Sequence, residues 1–372
     1  MIYYIHLLQY YSTMKRAISL FSGMGGDSLG IKQAGYTLVA YSEKEKIFRE
    51  SHDANFLNCS LLGSNCGSDI SKITDEEFLQ YKNTIDLIFA GFPCQGFSQA
   101  GKKLPNDPRN TLFREFLRAT KLIQPKYIIG ENVKGLLKRK THTGELYIDI
   151  IKKEFEVIGY SIQYKVMKAN LYNIPQNRHR LIIVGIRNDI DIPYVFPTEQ
   201  PNDQLNIKHI ITFSMKGAIK IEPEDLHFNI TTTIPEECIL TDMTNDEEPP
   251  LQEVHPYLKV LSKKRDFIYK GTPYPYRLDF GKRIPVGGEV IDIRKPINTI
   301  ICTYARQPRF FIPLKNKKGY FLRCLLPNEL KQIQGFPSDY IIKGNTVKQI
   351  IQIGNAAPPP LIKQVIDNLP NS

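Results

Sequence analysis

Between residues 16 and 187, short apolar runs alternate with longer stretches in which apolar positions recur at helical spacing. The runs at 17–21, 85–90, 127–129 and 181–186 are rich in Ile, Leu and Phe and too short for helices, which predicts strands buried on both faces. The stretches at 26–34, 111–123 and 146–158 predict amphipathic helices. Alternation of this kind predicts an α/β fold built on a doubly wound, mostly parallel sheet. After Arg187 the rhythm gives way to a stretch rich in Pro, Thr and acidic residues running to about Ile293, which predicts a smaller, separate lobe. Regularity returns at Arg294, with an apolar run over 297–302, a helix over 328–334 closed by Gly335-Phe336-Pro337, and a helix over 346–353 closed by Gly354-Asn355. The chain thus divides into 14–186, 187–293 and 294–372.

The 372 residues are enough for one large domain and a smaller one. A net charge of +11 favours a polyanionic partner, and its distribution narrows the contact surface. Residues 187–258 hold four Lys or Arg against fourteen Asp or Glu, whereas 259–283 hold eight against two. Phosphate repels the first stretch, so only the second half of the lobe is expected to face a nucleic acid, with Arg265, Arg277, Lys282 and Arg283 as candidate contacts. The six cysteines are scattered without a CxxC pair, which argues against a zinc site and a disulfide framework and fits a reducing cytoplasm. Residues 1–13 are apolar but lack a basic flank and a cleavage site, and are too short to span a bilayer. Met14, directly before Lys15-Arg16, is a candidate start.

The octet Gly-Phe-Pro-Cys-Gln-Gly-Phe-Ser at 91–98 follows an apolar run and displays Cys94 at the ligand-binding edge of the expected sheet. Most cysteines are small buried hydrophobes, so Cys94 is a nucleophile only if the rest of the chain supplies a site. Phe21-Ser22-Gly23-Met24-Gly25-Gly26 follows the first strand and opens a helix, where a ligand can approach the backbone. About twenty residues on, Glu43 ends the next strand and can accept hydrogen bonds from both ribose hydroxyls, so the two together point to an adenosine-containing cofactor. Asp69-Ile70, placed near the end of a third strand, could meet the adenine edge and ring, although alone it reads as an ordinary turn. Glu131 follows the run 127–129 at the same edge as Cys94, where a partly buried acid can hold or share a proton with a ring nitrogen; the bland alternative is a solvated Glu beside a capping Asn132. In Gln176-Asn177-Arg178-His179-Arg180 the alternating Arg178 and Arg180 are expected on one side of an extended chain, suited to a phosphate or a base carbonyl.

In this order the motifs, with Gly354-Asn355-Ala356-Ala357-Pro358-Pro359 near the end, resemble the bacterial cytosine-5 DNA methyltransferase family across about 270 residues. The resemblance implies a fold of S-adenosylmethionine-dependent methyltransferase type, with 187–293 as target recognition domain and 294–372 completing the catalytic domain. It implies S-adenosylmethionine as cofactor, held by Phe21, Gly23, Gly25, Glu43, Asp69, Ile70, Leu112 and Asn355, and duplex DNA as partner. By the same resemblance Cys94 adds to carbon 6 of a flipped cytosine, Glu131 holds the proton at ring nitrogen 3, and Arg180 with Arg178 binds the base carbonyl or a phosphate. Ser98 and Arg109 match phosphate-contacting positions, and the basic run Lys134, Lys138, Arg139, Lys140 could add to them. The family also implies a monomer acting beside a separate restriction endonuclease. Lys44 departs from the pattern where many relatives place an apolar or aromatic residue against adenine, and Asn173 replaces a common Gly. Three rivals stand against this reading. A branch of the family that methylates tRNA carries a Cys-Phe-Thr signature that is missing here, a catalytically dead DNA-binding regulator has no use for a nucleophile, and an oxidoreductase would need the full GxGxxG turn.

Overall fold

The structure, a computed structural model, describes residues 14–93, 112–222, 234–250, 252–254, 258, 266–269, 272–275, 277–282 and 287–370; Cys94, Ser98, Arg109, Arg265 and Arg283 lie outside them. Eight strands open the chain: β1 (Arg16–Leu20), β2 (Thr37–Ser42), β3 (Ser60–Leu61), β4 (Leu87–Ala90), β5 (Tyr127–Asn132), β6 (Tyr160–Lys168), β7 (Gln176–Asn177) and β8 (His179–Arg187). Seven form one sheet in the order β3-β2-β1-β4-β5-β8-β6. The first five are parallel, while β8 runs antiparallel to both β5 and β6. The doubly wound, mostly parallel sheet is therefore present, with one reversed strand that apolar runs alone do not reveal. Strand order reverses between β1 and β4, so the crevice at their carboxyl ends is the topological switch point where such folds bind ligands.

Successive strand residues face opposite sides, and each side has its own core. Ala17, Leu87, Phe89, Tyr127 and Ile129 pack with α1 (Gly26–Gln33) and with the last three helices, α6 (Pro327–Ile333), α7 (Thr346–Asn355) and α8 (Pro359–Asp367). Ile18, Leu20, Ile88, Ala90 and Ile128 pack with α3 (Asp75–Leu79), α4 (Phe113–Ile123) and α5 (Tyr147–Val157). Another helix, α2 (Lys46–Asp53), follows β2. Each fully buried Ile or Phe contributes roughly 1.5–3 kcal/mol, so the two layers hold the edge between them rigidly.

The last helices return to the start of the chain. Gly354 was expected to stop α7, yet it lies inside the helix: a Cβ there would stand 2.4 Å from the amide nitrogen of Cys302, so glycine is needed for close approach rather than for a turn. A second sheet is built from the segments Arg277–Phe280, Gly287–Val290, Phe310–Asn316, Gly319–Cys324 and Ile219–Ile221, in that order, with Leu240–Thr241 also paired to Phe310–Asn316. Its central hairpin, Phe310–Asn316 with Gly319–Cys324, comes from beyond residue 294, so this sheet joins strands from both sides of the boundary expected at 293/294. A fully buried ion pair, Arg323 Nη2 to Glu329 Oε1 at 2.7 Å, ties that hairpin to α6.

Candidate active site

The chain leaves β1 in a turn whose backbone is unusual. Phe21 has φ +57°, a left-handed conformation that bulky residues rarely adopt, and Gly23 and Gly25 share that region at +57° and +94°. The turn is held by the neighbouring strand: Ser22 N–H donates to Ser42 O at 3.0 Å, and Gly23 N–H donates to Glu43 Oε2 at 2.9 Å. Glu43 Oε1 accepts from Glu45 N–H at 2.7 Å, and burial pushes the carboxyl above its ordinary value. Each oxygen of that carboxylate keeps a further lone pair, as two vicinal hydroxyls would require. Arg49 Nη1 donates to the carbonyls of Glu43, Lys44 and Gly67, which locks the end of β2 to the next loop.

Asp69 does not end a strand. It lies eight residues beyond β3 and caps a 3₁₀ turn, Ile70–Lys72, accepting from Ser71 Oγ at 2.8 Å. The apolar pattern missed this because β3 is only two residues long. Lys44 Nζ stands 2.9 Å from Asp69 Oδ2 and holds the Asp69 carboxyl below its ordinary value, so an ion pair takes the place of the family's apolar or aromatic residue. Ile70 is buried, Leu112 is half-buried at the start of α4, and Asn355 is exposed at the end of α7. Asn173 has φ +60°, a conformation asparagine tolerates better than most residues, which accounts for it standing in for glycine.

Across the crevice, β4 ends at Ala90 and the chain continues through Gly91-Phe92-Pro93 toward Cys94, with Gly91 N–H donating to Leu20 O at 3.2 Å. Asn132 fixes this turn from β5: its Nδ2 donates to Phe92 O at 3.1 Å. Glu131 is thereby brought beside the turn that leads into Cys94. Its Oε1 lies 2.5 Å from Arg180 Nε, with only about an eighth of either side chain exposed. That oxygen is buried and has no well-formed hydrogen bond among the described residues. The apolar setting expected around Glu131 thus includes a cation that sequence spacing did not place there.

Arg178 departs from expectation. Its guanidinium is fully buried and donates to the carbonyls of Ile300 (2.8 Å), Gly354 (3.0 Å) and Ala356 (2.9 Å), away from the crevice. Alternation failed because the chain turns tightly between β7 and β8, with Arg178 N–H donating to Gln176 O at 2.8 Å, so Arg178 and Arg180 do not share a side. Gln176 joins the same network: its Oε1 accepts from Ile300 N–H at 3.0 Å, and its Nε2 donates to Gln334 Oε1 at 2.5 Å. Another residue that sequence reasoning missed is Asp27, on the first turn of α1, whose carboxyl accepts from Ser19 Oγ; burial pushes it up to about 7. The acid directly after a glycine turn was its only signal. Lys282 is exposed, and Arg277 is described only by its backbone.

A glycine-rich turn, a carboxylate shaped for a ribose and an acid–arginine pair now stand around one switch point. The C-5 cytosine-specific DNA methylase family matches residues 15–371. The chain belongs to that family. This methylase transfers a methyl group from S-adenosyl-L-methionine to carbon 5 of cytosine in DNA. It is similar to the Type II methyltransferase M.Eco47II of Escherichia coli, with 32% identity over 362 residues that cover 92% of this chain and 75% of that protein. M1.HphI of Haemophilus parahaemolyticus, also a Type II methyltransferase, is 29% identical over 360 residues, covering 94% and 85%. Among solved structures, a DNMT2 mutant of Spodoptera frugiperda superposes with a TM-score of 0.61 at 17% identity, covering 95% of this chain and 99% of that one, so it shares the methylase fold. Among the described residues no helix is long and apolar enough to cross a membrane.

Proposed function

We propose that this methylase works on a cytosine flipped out of duplex DNA, through a covalent bond between Cys94 and carbon 6. The observation that supports this most is the Glu131–Arg180 pair, held beside the turn into Cys94 by Asn132. S-adenosylmethionine, when bound, would supply an electrophilic methyl group, and the residues around the turn after β1 fit it: Glu43 would offer lone pairs to the ribose hydroxyls, and Asp69 and Ile70 would hold the adenine. Phe21, Gly23, Gly25, Leu112 and Asn355 complete the cofactor pocket in this reading.

Carbon 5 of cytosine is too electron-poor to be methylated unaided. The Cys94 thiolate forms a bond to carbon 6, and the ring electrons move toward carbon 5. Glu131 holds the proton at ring nitrogen 3 while this charge develops, and Arg180 orients Glu131 and binds the base carbonyl. Once carbon 5 carries the methyl group, it loses its proton, the carbon 5–carbon 6 double bond re-forms, and the Cys94 sulfur leaves. A stacked base cannot reach these groups, which is why it must be flipped, as the handling of duplex substrates by methyltransferases generally requires. In this reading Ser98 and Arg109 are assigned to the phosphates beside it, and Arg265, Arg277, Lys282 and Arg283 to contacts with the duplex. The smaller lobe, 187–293 with the central hairpin of the second sheet, reads the target sequence. Relatives named Type II methyltransferases support a place in a restriction-modification system, with the methylase acting as a cytoplasmic monomer beside a separate endonuclease.

Glu131→Gln tests the central pair. Methyl transfer to duplex DNA is expected to fall about 10²–10⁴-fold, the range for a positioned acid or base, with duplex affinity within a few-fold of wild type. Single-turnover kinetics with labelled cofactor measure this, and unchanged turnover would refute the assignment. At the adenine end, Asp69→Ala is expected to weaken S-adenosylmethionine binding about tenfold in a calorimetric titration, in line with a charge-assisted hydrogen bond. Lys44→Met should change it less than about threefold, because an exposed ion pair contributes little. Equal losses in both variants would mean that the Lys44–Asp69 pair, rather than Asp69 alone, holds the ring.

A further inference from the structure

Arg180 and Glu131 face one side of β8, and a second charged group gathers on its other side. Lys168, the last residue of β6, is directly opposite His179, the first residue of β8. Residues so paired on antiparallel strands share a face, with Cβ atoms roughly 4.5–5.5 Å apart. The 3₁₀ turn Lys134–Lys138, which follows β5, packs against β8, and the Lys134 charge acts on His179. Lys134 and Lys168 are exposed and His179 is half-buried.

Nothing among the described residues neutralises this group. Glu131, on the other side of β8, is paired with Arg180, and the charges that act on His179 are all cationic. Three elements present their charges to His179: Lys134 from the turn after β5, Lys168 from β6 and Arg180 from its own strand. Burial first, and these three cations after it, hold the imidazole below its ordinary value. Two exposed cations left together beside a half-buried imidazole are arranged for an anion that arrives from outside.

We propose that Lys134, Lys168 and His179 form a binding site for one backbone phosphate of the DNA, across β8 from the Glu131–Arg180 pair. The site rests on the reading that the crevice accepts a flipped nucleotide. A nucleotide whose base lies against Glu131 must carry its backbone over the carboxyl edge of the sheet, where these three residues stand. The phosphate offsets the like charges that disfavour the imidazolium, so His179 takes up a proton when DNA binds. The sign follows: the bound imidazole titrates higher than the free one, and affinity rises as pH falls through the bound value.

Fluorescence anisotropy with a labelled mixed-sequence duplex tests the site in the full chain. In K134Q/K168Q the plot of log affinity against log salt is expected to be shallower by about 1, the slope for one phosphate contact, and affinity near 0.1 M salt to fall about tenfold. Wild type is expected to bind several-fold tighter at about pH 6 than at about pH 8, and H179Q to lose that difference while matching wild type at the higher pH. An unaltered salt slope in K134Q/K168Q, or an unaltered pH response in H179Q, would overturn the site while leaving the flipped-cytosine reading intact. Wild type that binds no duplex at any salt would overturn both. S-adenosylmethionine affinity serves as the folding control; because both lysines are exposed it should stay at the wild-type value, and a parallel loss there would count against the proposal.

Discussion

Cys94→Ala is expected to abolish methyl transfer, by at least about 10⁴-fold, while duplex affinity stays near that of wild type. The size follows from the chemistry: without a bond at carbon 6, carbon 5 has no electron density to offer, and holding both reactants in place cannot substitute for it. Binding survives because the phosphate and base contacts assigned to the other residues do not involve sulfur. Cys94→Ser sharpens the test, since a hydroxyl of similar size remains but is a far poorer nucleophile at neutral pH. Methyl incorporation from labelled cofactor, read beside anisotropy on the same duplex, separates the two effects. Turnover within tenfold of wild type in either variant would remove Cys94 from the mechanism.

The second large effect is on stability. Arg178→Met is expected to destabilise the protein by about 3–5 kcal/mol, because the carbonyls of Ile300 and Gly354 lose the donor that now satisfies them and Ala356 O keeps only Gln334 Nε2. Folded domains have only about 5–15 kcal/mol in hand, so the thermal midpoint should drop by at least about 5 °C. Arg180→Met is the contrast: it sits at the crevice beside Glu131, so its loss should appear in turnover with little change in the midpoint. Calorimetric melts of the two variants decide the matter, and a stable Arg178→Met protein would show that the network is dispensable.

These two arginines illustrate how far the amino-acid pattern reaches. The parallel strands were legible because they are buried on both faces and read as unbroken apolar runs; β6 escaped because Ser161, Gln163 and Tyr164 face solvent at the sheet's edge and break the run. Glu131 was legible as a residue at a strand's carboxyl end, but its partner Arg180 comes from the antiparallel strand β8, 49 positions later and one residue outside its ladder with β5, and no local spacing encodes that pairing. Gly354 was misread for the same reason. A helix-stop glycine and a close-approach glycine look identical until the chain that touches them, here Cys302, is placed. Asn132 as the clamp on Phe92, and Gln176 with Gln334 as the tie to the last helices, likewise depend on contacts between distant segments.

The return of the last helices to the first turn has a consequence for how the protein is made. Ser51 Oγ donates to Gln352 Oε1 at 2.6 Å across 301 residues, Tyr340 Oη donates to Met24 O across 316, and a Cβ on Gly26 would stand 2.3 Å from Ala357 O. At about 5–20 residues per second on a ribosome, the turn after β1 waits roughly 15–60 s for the segment that seats it. A nascent or truncated chain would carry the motifs of the cofactor pocket without its walls. The first turn therefore has its full set of neighbours only once the last helices have been made and have docked against it.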